Sequence, residues 1–213
     1  MKKLIISLLM LPVLSLMGCE NTSSGNNKLT SLGCTEVCAQ DGDFDMNANY
    51  AVLMAESIAS GDYSQAKYYD RLRNKKKEYL GIQDNLTYDN LLLLAKIIHA
   101  EAGSSWLTEE HRQLVASVVI NRVNSSEFPN TIYDVIHQRG QYSSAGTKYF
   151  NSLKPSKACV FSALKVLANG SIAPKDVVFQ AGFKQGSGVY KSINDRILGT
   201  TYFCYSSNRK LYE

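Results

Sequence analysis

The chain has 213 residues, 45% hydrophobic and 20% charged, enough apolar material for one ordinary packed domain plus accessory segments. A formal net charge of +4 is too small to imply a nucleic-acid partner and argues only for mild attraction to an acidic polymer or membrane surface. No internal repeat stands out.

Lys2 and Lys3 precede an apolar run over residues 4–14, broken only by Ser7 and Pro12. A permanent bilayer span needs about 20 apolar residues, so this run reads as the h-region of a signal peptide. Leu16-Met17-Gly18-Cys19 follows it and resembles the lipobox of bacterial lipoproteins. That resemblance implies removal of residues 1–18, with small Gly18 giving the peptidase access and the Cys19 thiol taking the lipid. Two acyl chains or more suffice for stable anchoring. The alternative is a plain signal peptide with an unmodified cysteine. Export makes disulfides permissible for the four remaining cysteines. The simplest pairing is Cys34 with Cys38 and Cys159 with Cys204; free thiols are the other reading.

Residues 19–47 are rich in Asn, Ser, Gly, Thr and Asp and cannot bury enough surface to offset their chain entropy, so a flexible tether is expected. Over residues 48–82 the pattern turns helical. Tyr50, Leu53, Met54 and Ile58 mark one helix face, Ser60-Gly61-Asp62 breaks it, and Ala66, Tyr69, Leu72 and Tyr79 mark a second. Together they predict a helical hairpin. Its basic residues Arg71, Arg73, Lys75, Lys76 and Lys77 read as a solvated face, with contact to wall polymer or lipid headgroups as the functional alternative.

From residue 87 to 213 the composition is that of a packed domain. Helices are predicted over 88–102, capped by Thr87 or Asp89, and over 109–123, 131–137 and 156–168, the last stopped by Asn169-Gly170. Strands are predicted at 177–179 and 201–205, where β-branched and aromatic residues cluster between Gly and Asn. The class is therefore α+β, mostly helical, with a small terminal sheet.

Within the first of these helices, Glu101 stands three, four and seven residues after Ile98, Ile97 and Leu94, so it rides on the apolar face near the helix end. Partial burial there raises a carboxyl pKa, and a glutamic acid kept protonated can donate to a glycosidic oxygen. The structural reading is an ion pair with Arg112 or Arg122.

The neighbourhood of Glu101 narrows the choice. His99-Ala100-Glu101-Ala102, Val118-Val119-Ile120-Asn121-Arg122-Val123, Phe128-Pro129-Asn130-Thr131-Ile132, Gly140-Gln141-Tyr142-Ser143 and Leu198-Gly199-Thr200-Thr201-Tyr202-Phe203 follow in order. This series, over about residues 88–205, resembles the SleB/CwlJ cell-wall hydrolase family, whose members degrade peptidoglycan. The resemblance implies a lysozyme-like or lytic-transglycosylase-like fold with a single essential glutamate, matching Glu101. It also implies a sugar-binding role for Gln141, Tyr142 and Ser143. Asn121, on the core face of its helix, is a candidate for orienting Glu101 or capping backbone, and Gln180 for lining the groove. Trp106 is read as either a sugar-stacking or a packing residue. Where many members carry Arg-Gly-Glu after Glu-Ala, this chain has Gly103-Ser104-Ser105-Trp106, which leaves no second acid immediately downstream.

Hydrolysis by inversion or retention uses two carboxylates. Lytic transglycosylation needs one, because the C6 hydroxyl of the same muramic sugar replaces water. Glu109, Glu110, Glu127 and Asp134 are the other candidate acids, each in a stretch that also suits capping and solvation. The expected function is thus a peptidoglycan-cleaving enzyme, with an amidase or a non-catalytic wall-binding lipoprotein as alternatives. No cofactor or metal is expected. A monomer is expected, its partners being glycan strands and the membrane through its anchor. The family points to a Gram-positive-type envelope and the outer face of the cytoplasmic membrane. His99-Ala100-Glu101 also matches the His-x-Glu start of a zinc deaminase, but the Pro-Cys-x-x-Cys partner is missing. Neither a His-Glu-x-x-His zinc motif nor a Gly-x-Ser-x-Gly elbow occurs.

Overall fold

A computed structural model describes residues 42–213; the predicted signal segment, Cys19, Cys34, Cys38 and the predicted tether up to residue 41 lie outside them. Helix α1 (Gly42–Ser60) starts six residues before the predicted hairpin. Helix α2 (Tyr63–Leu80) follows a tight break. Gly61 adopts φ 84°, and the Asp62 side chain caps α2 by accepting the Gln65 amide at 2.9 Å. Met54, Ala55, Ile58 and Ala66 face inward and share one core with the helices that follow.

The basic run on α2 is not wholly a solvated face. Arg73 is buried and pairs with Asp84, whose other oxygen lies 2.8 Å from Lys77 Nζ. Burial alone would raise the Asp84 pKa, but the two cations outweigh it and hold the carboxyl below its usual range. This clasp fixes the 81–86 connection and delivers the chain to α3 (Tyr88–Ala102), which Thr87 caps through the Asn90 amide.

Helix α4 (Glu109–Val123) is the spine of the domain. It is buried almost all round, with Leu114, Val115, Ala116, Val118 and Val119 in the core. It packs against α3, α5 (Ile132–His137), α7 (Lys157–Asn169) and β1 (Val177–Ala181). A short helix α6 (Lys148–Ser152), capped by Thr147, was not foreseen; its Phe150 is buried.

The sheet has three antiparallel strands in the order β1-β3-β2, with β2 at Val189–Asp195 and β3 at Gly199–Tyr205. β1 and β3 fall where the sequence predicts them. β2 was missed: its face toward the body carries Lys191, Ile193 and Asp195, too polar to read as a buried stripe. Gly186, at φ 61°, passes so close to β3 that a Cβ there would stand 1.9 Å from the Tyr205 carbonyl oxygen. A closing 3-10 helix, Arg209–Tyr212, ends the chain.

The expected Cys159–Cys204 bridge is not formed. Both are free, fully buried thiols, Cys159 on α7 and Cys204 on β3. Cys159 takes a hydrogen bond from the Ser156 hydroxyl at the start of its own helix (3.2 Å), and burial pushes its pKa up. Both side chains act as small core hydrophobes.

Candidate active site

Glu101 occupies the last turn of α3. Leu94, Ile97 and Ile98, on the same helical stripe, are wholly buried, while Glu101 itself is open to solvent. Its carboxyl pKa is nevertheless raised, and the cause is desolvation. Its carboxyl is thus reachable from solvent and yet partly stripped of water. Among the described residues the Glu101 side chain has no hydrogen bond or ion pair. The ion pair with Arg112 or Arg122, its structural alternative, is not made.

The helix end is tightly built. A Cβ on Gly103 would lie 2.2 Å from the His99 carbonyl oxygen and 2.9 Å from its ring, so glycine is required just beyond Glu101. His99 Nδ1 accepts the Ser156 amide (3.0 Å), which places the ring proton on Nε2. Burial, with Arg112 adding to it, lowers the His99 pKa and keeps the ring neutral. Arg112 reaches back through Nη2 to the Ser104 carbonyl at 2.9 Å and holds the loop after α3.

Tyr142 feels the charge of Glu101. It is 7% exposed, unlike Gln141 and Ser143 on either side, which are open to solvent. Burial pushes its pKa up to about 12, with the Arg122 charge opposing and the Glu101 charge adding to the rise. Tyr142 therefore lies within electrostatic reach of both residues and stays protonated over the whole physiological range. Arg122 is 3% exposed and forms no ion pair. Its guanidinium lies 5.1 Å from the Phe128 ring centre and 5.5 Å from that of Tyr142, and its Nε donates to the Val178 carbonyl at 2.6 Å.

Nine buried side-chain polar atoms among the described residues lack a hydrogen-bond partner, and such atoms are rare in native structures. Five of them belong to Arg122, Gln138, Tyr142, Ser144 and Gln180, which come from α4, the loop after α5, and β1. Gln180, the candidate for lining the groove, lies within β1, half-buried, with Oε1 unpaired. Asn121 does not join this group. Its amide donates to the Pro174 and Val177 carbonyls at 2.7 and 2.9 Å, so it ties α4 to β1 and has no surface to offer a substrate.

The other candidate acids are engaged elsewhere. Glu109 pairs with Lys165 and takes the Gln113 amide at 2.7 Å; Glu110 pairs with Lys191. Glu127 accepts the Ser206 and Tyr212 hydroxyls at 2.7 and 2.6 Å, fastening the C-terminus, and the Asp134 carboxylate accepts the hydroxyl of Thr131, the cap of α5, at 2.5 Å. Sequence reasoning missed Asp195. It accepts the Trp106 indole N–H at 3.1 Å, and the Leu198 and Ile197 amides, together with that bond, hold its carboxyl below the usual range. No local signal announces a contact spanning that much sequence. Among the described residues, no three His, Cys, Asp or Glu side chains stand together to hold a metal ion.

Comparison with curated proteins and with solved structures gave no match. One family model does match: Cell Wall Hydrolase, over residues 108–204. The match opens at the α4 cap and closes in β3, so it takes in Arg122, Tyr142 and Gln180, while Glu101 lies just ahead of it. By that segment the chain carries a cell wall hydrolase domain of the SleB type, a peptidoglycan hydrolase in the general sense.

Proposed function

We propose that the protein cleaves the glycan strand of peptidoglycan as a lytic transglycosylase, with Glu101 as the single acid and base. The observation that carries this reading is the state of Glu101: open to solvent, with its side chain unpaired and its pKa raised, while the four other candidate carboxylates are tied to partners. Protonated Glu101 gives its proton to the glycosidic oxygen as the bond to the muramic C1 breaks. The resulting carboxylate takes the proton from the C6 hydroxyl of that sugar as O6 bonds to C1, closing a 1,6-anhydro ring. Glu101 ends as it began, and no water is consumed.

Gln141 and Ser143, exposed on either side of Tyr142, and Gln180, with its unpaired amide oxygen, would serve sugar hydroxyls and acetamido groups. Tyr142 acts through Glu101, as a neutral hydroxyl in its field. Tyr142→Phe removes a buried hydroxyl that has no partner, so its cost to folding is small. We expect activity to fall about tenfold, as for loss of one dipole in the field of the reacting group. The alkaline limb of the pH profile should move upward, because a dipole that favours the carboxylate is gone; an unmoved profile would make Tyr142 purely structural. The lipobox would set the enzyme on the outer face of the cytoplasmic membrane, beneath the wall it cuts.

The deciding experiment is digestion of purified sacculi by the full chain, with product masses read by mass spectrometry. Anhydro-muramic ends are expected. Reducing ends carrying an added water would make it a muramidase, released stem peptides an amidase, and binding without products a non-catalytic wall protein. A metal-dependent amidase has the weaker support, since the described residues do not gather a ligand set.

A further inference from the structure

Trp106 is the chain's sole tryptophan and lies five residues beyond Glu101, within about 18 Å even for a fully extended chain. It is 54% exposed, yet it is not loose. Its indole N–H is bonded to Asp195 Oδ2 at 3.1 Å, and Asp195 Oδ1 is itself held by the Ile197 and Leu198 amides, both at 2.8 Å. On the other side the loop is pinned: Leu107 is buried, its amide bonds to the Ser104 carbonyl at 3.1 Å, and Arg112 holds the same carbonyl. The large apolar ring is thus fixed in orientation at both ends of its support while much of its surface faces water. Packing does not require this arrangement, and a rigid indole with little entropy to lose suits a stacked ligand.

The sheet register shows which side the indole occupies. Gln180 pairs with Phe203, and Phe203 with Lys191; side chains directly opposite share a face, and Ile193 and Asp195 continue that face along β2. Trp106 therefore docks on the sheet face that also bears Gln180, the face turned toward α4 through Phe203 and His111.

We propose that Trp106, held by Asp195, is a stacking platform for a pyranose ring of the glycan strand, a subsite beyond the one at which Glu101 acts. This rests on the glycan-cleaving reading above. A lipid surface is the competing ligand, because Ile197 and Leu198 at the hairpin tip are also exposed. The glycan is favoured because a carboxylate fixes the indole, and a buried lipid contact would have to desolvate that charge.

The lone indole makes the test direct. The full chain carrying Glu101→Gln is titrated with peptide-free glycan strands while tryptophan fluorescence is followed, and its binding to sacculi is measured by sedimentation. A saturable change in emission is expected. Trp106→Ala in the same background should weaken sedimentation about tenfold, as for loss of an aromatic anchor. Asp195→Ala should weaken the fluorescence titration comparably, with Trp106→Phe intermediate in sedimentation. The proposal is overturned if Glu101→Gln protein sediments with sacculi but its fluorescence ignores glycan, or if Trp106→Ala binds as well as its parent. A blue shift with phosphatidylglycerol vesicles and none with glycan overturns it in favour of a lipid contact. Failure of the function itself looks different: no sedimentation with sacculi and no products from the parent chain, and the subsite falls with it.

Discussion

Glu101→Gln should lower product release by on the order of a thousandfold, the range expected when a general acid is removed, while leaving the melting temperature no lower than that of the parent. The two halves of this expectation come from one property. Desolvation raises the Glu101 pKa, so the folded state disfavours its charged form. A carboxyl whose folded pKa lies above its unfolded value adds stability fully only below the unfolded pKa, and that contribution is lost as pH rises through the folded value. At neutral pH the ionised side chain is therefore a small liability, and an isosteric amide relieves it. Solvent access keeps the gain small. Parent and variant should converge in stability at acid pH, below the ordinary glutamate range, and the variant should be equal or better above it. The parent's activity should fall on the alkaline side with an apparent pKa above that of a free glutamate, since the acid form starts the reaction. Thermal melts at several pH values and a pH–rate profile check both. A variant that turned over near the parent rate would remove Glu101 from the mechanism; one that lost activity and melted much earlier would make it structural.

The setting of Glu101 on its helix was legible because its signal is local. Offsets of three, four and seven to Ile98, Ile97 and Leu94 set it on an apolar stripe, and those three residues are in fact wholly buried. Helices with strong stripes and capping residues, α3, α4 and α7, were legible for the same reason, and so were the aromatic strands β1 and β3. What was not legible depends on partners distant in sequence. β2 has a body-facing row of Lys191, Ile193 and Asp195 that makes sense only once β3 and the Glu110 and Trp106 side chains stand against it. Asn121 looked available as a polar group on a core face, but the Pro174 and Val177 carbonyls, more than fifty residues on, consume its amide. Cys159 and Cys204 made an even pair on paper; the fold gives each its own buried niche. An ion pair to Arg122 was one structural alternative for Glu101, and the guanidinium instead lies against two aromatic rings.

That last arrangement carries the second large effect. Arg122 joins three parts of the site: Val178 of β1 through its Nε, Phe128 between α4 and α5, and Tyr142, which in turn feels the Glu101 charge. A buried cation without an ion pair is costly, and burial pulls the Arg122 pKa down accordingly. What offsets that cost is the charged hydrogen bond and the electron-rich faces of the two rings. Arg122→Ala removes both, opens a void and takes the charged donor from the Val178 carbonyl, so we expect a loss of about 3 kcal/mol, roughly 10 °C in melting temperature for a domain of this size. Activity should fall more than the fraction unfolded explains, because Tyr142 loses the surface against which its ring is set. Arg122→Lys is the informative comparison. It keeps the charge, but a compact ammonium lacks the planar face to lie against two rings while donating to a carbonyl, so most of the loss should persist. Chemical denaturation, with activity measured well below the unfolding transition, separates the two effects. If the lysine variant matched the parent in both, charge alone would be the requirement, and Arg122 would not be the bracket that sets Tyr142 beside Glu101.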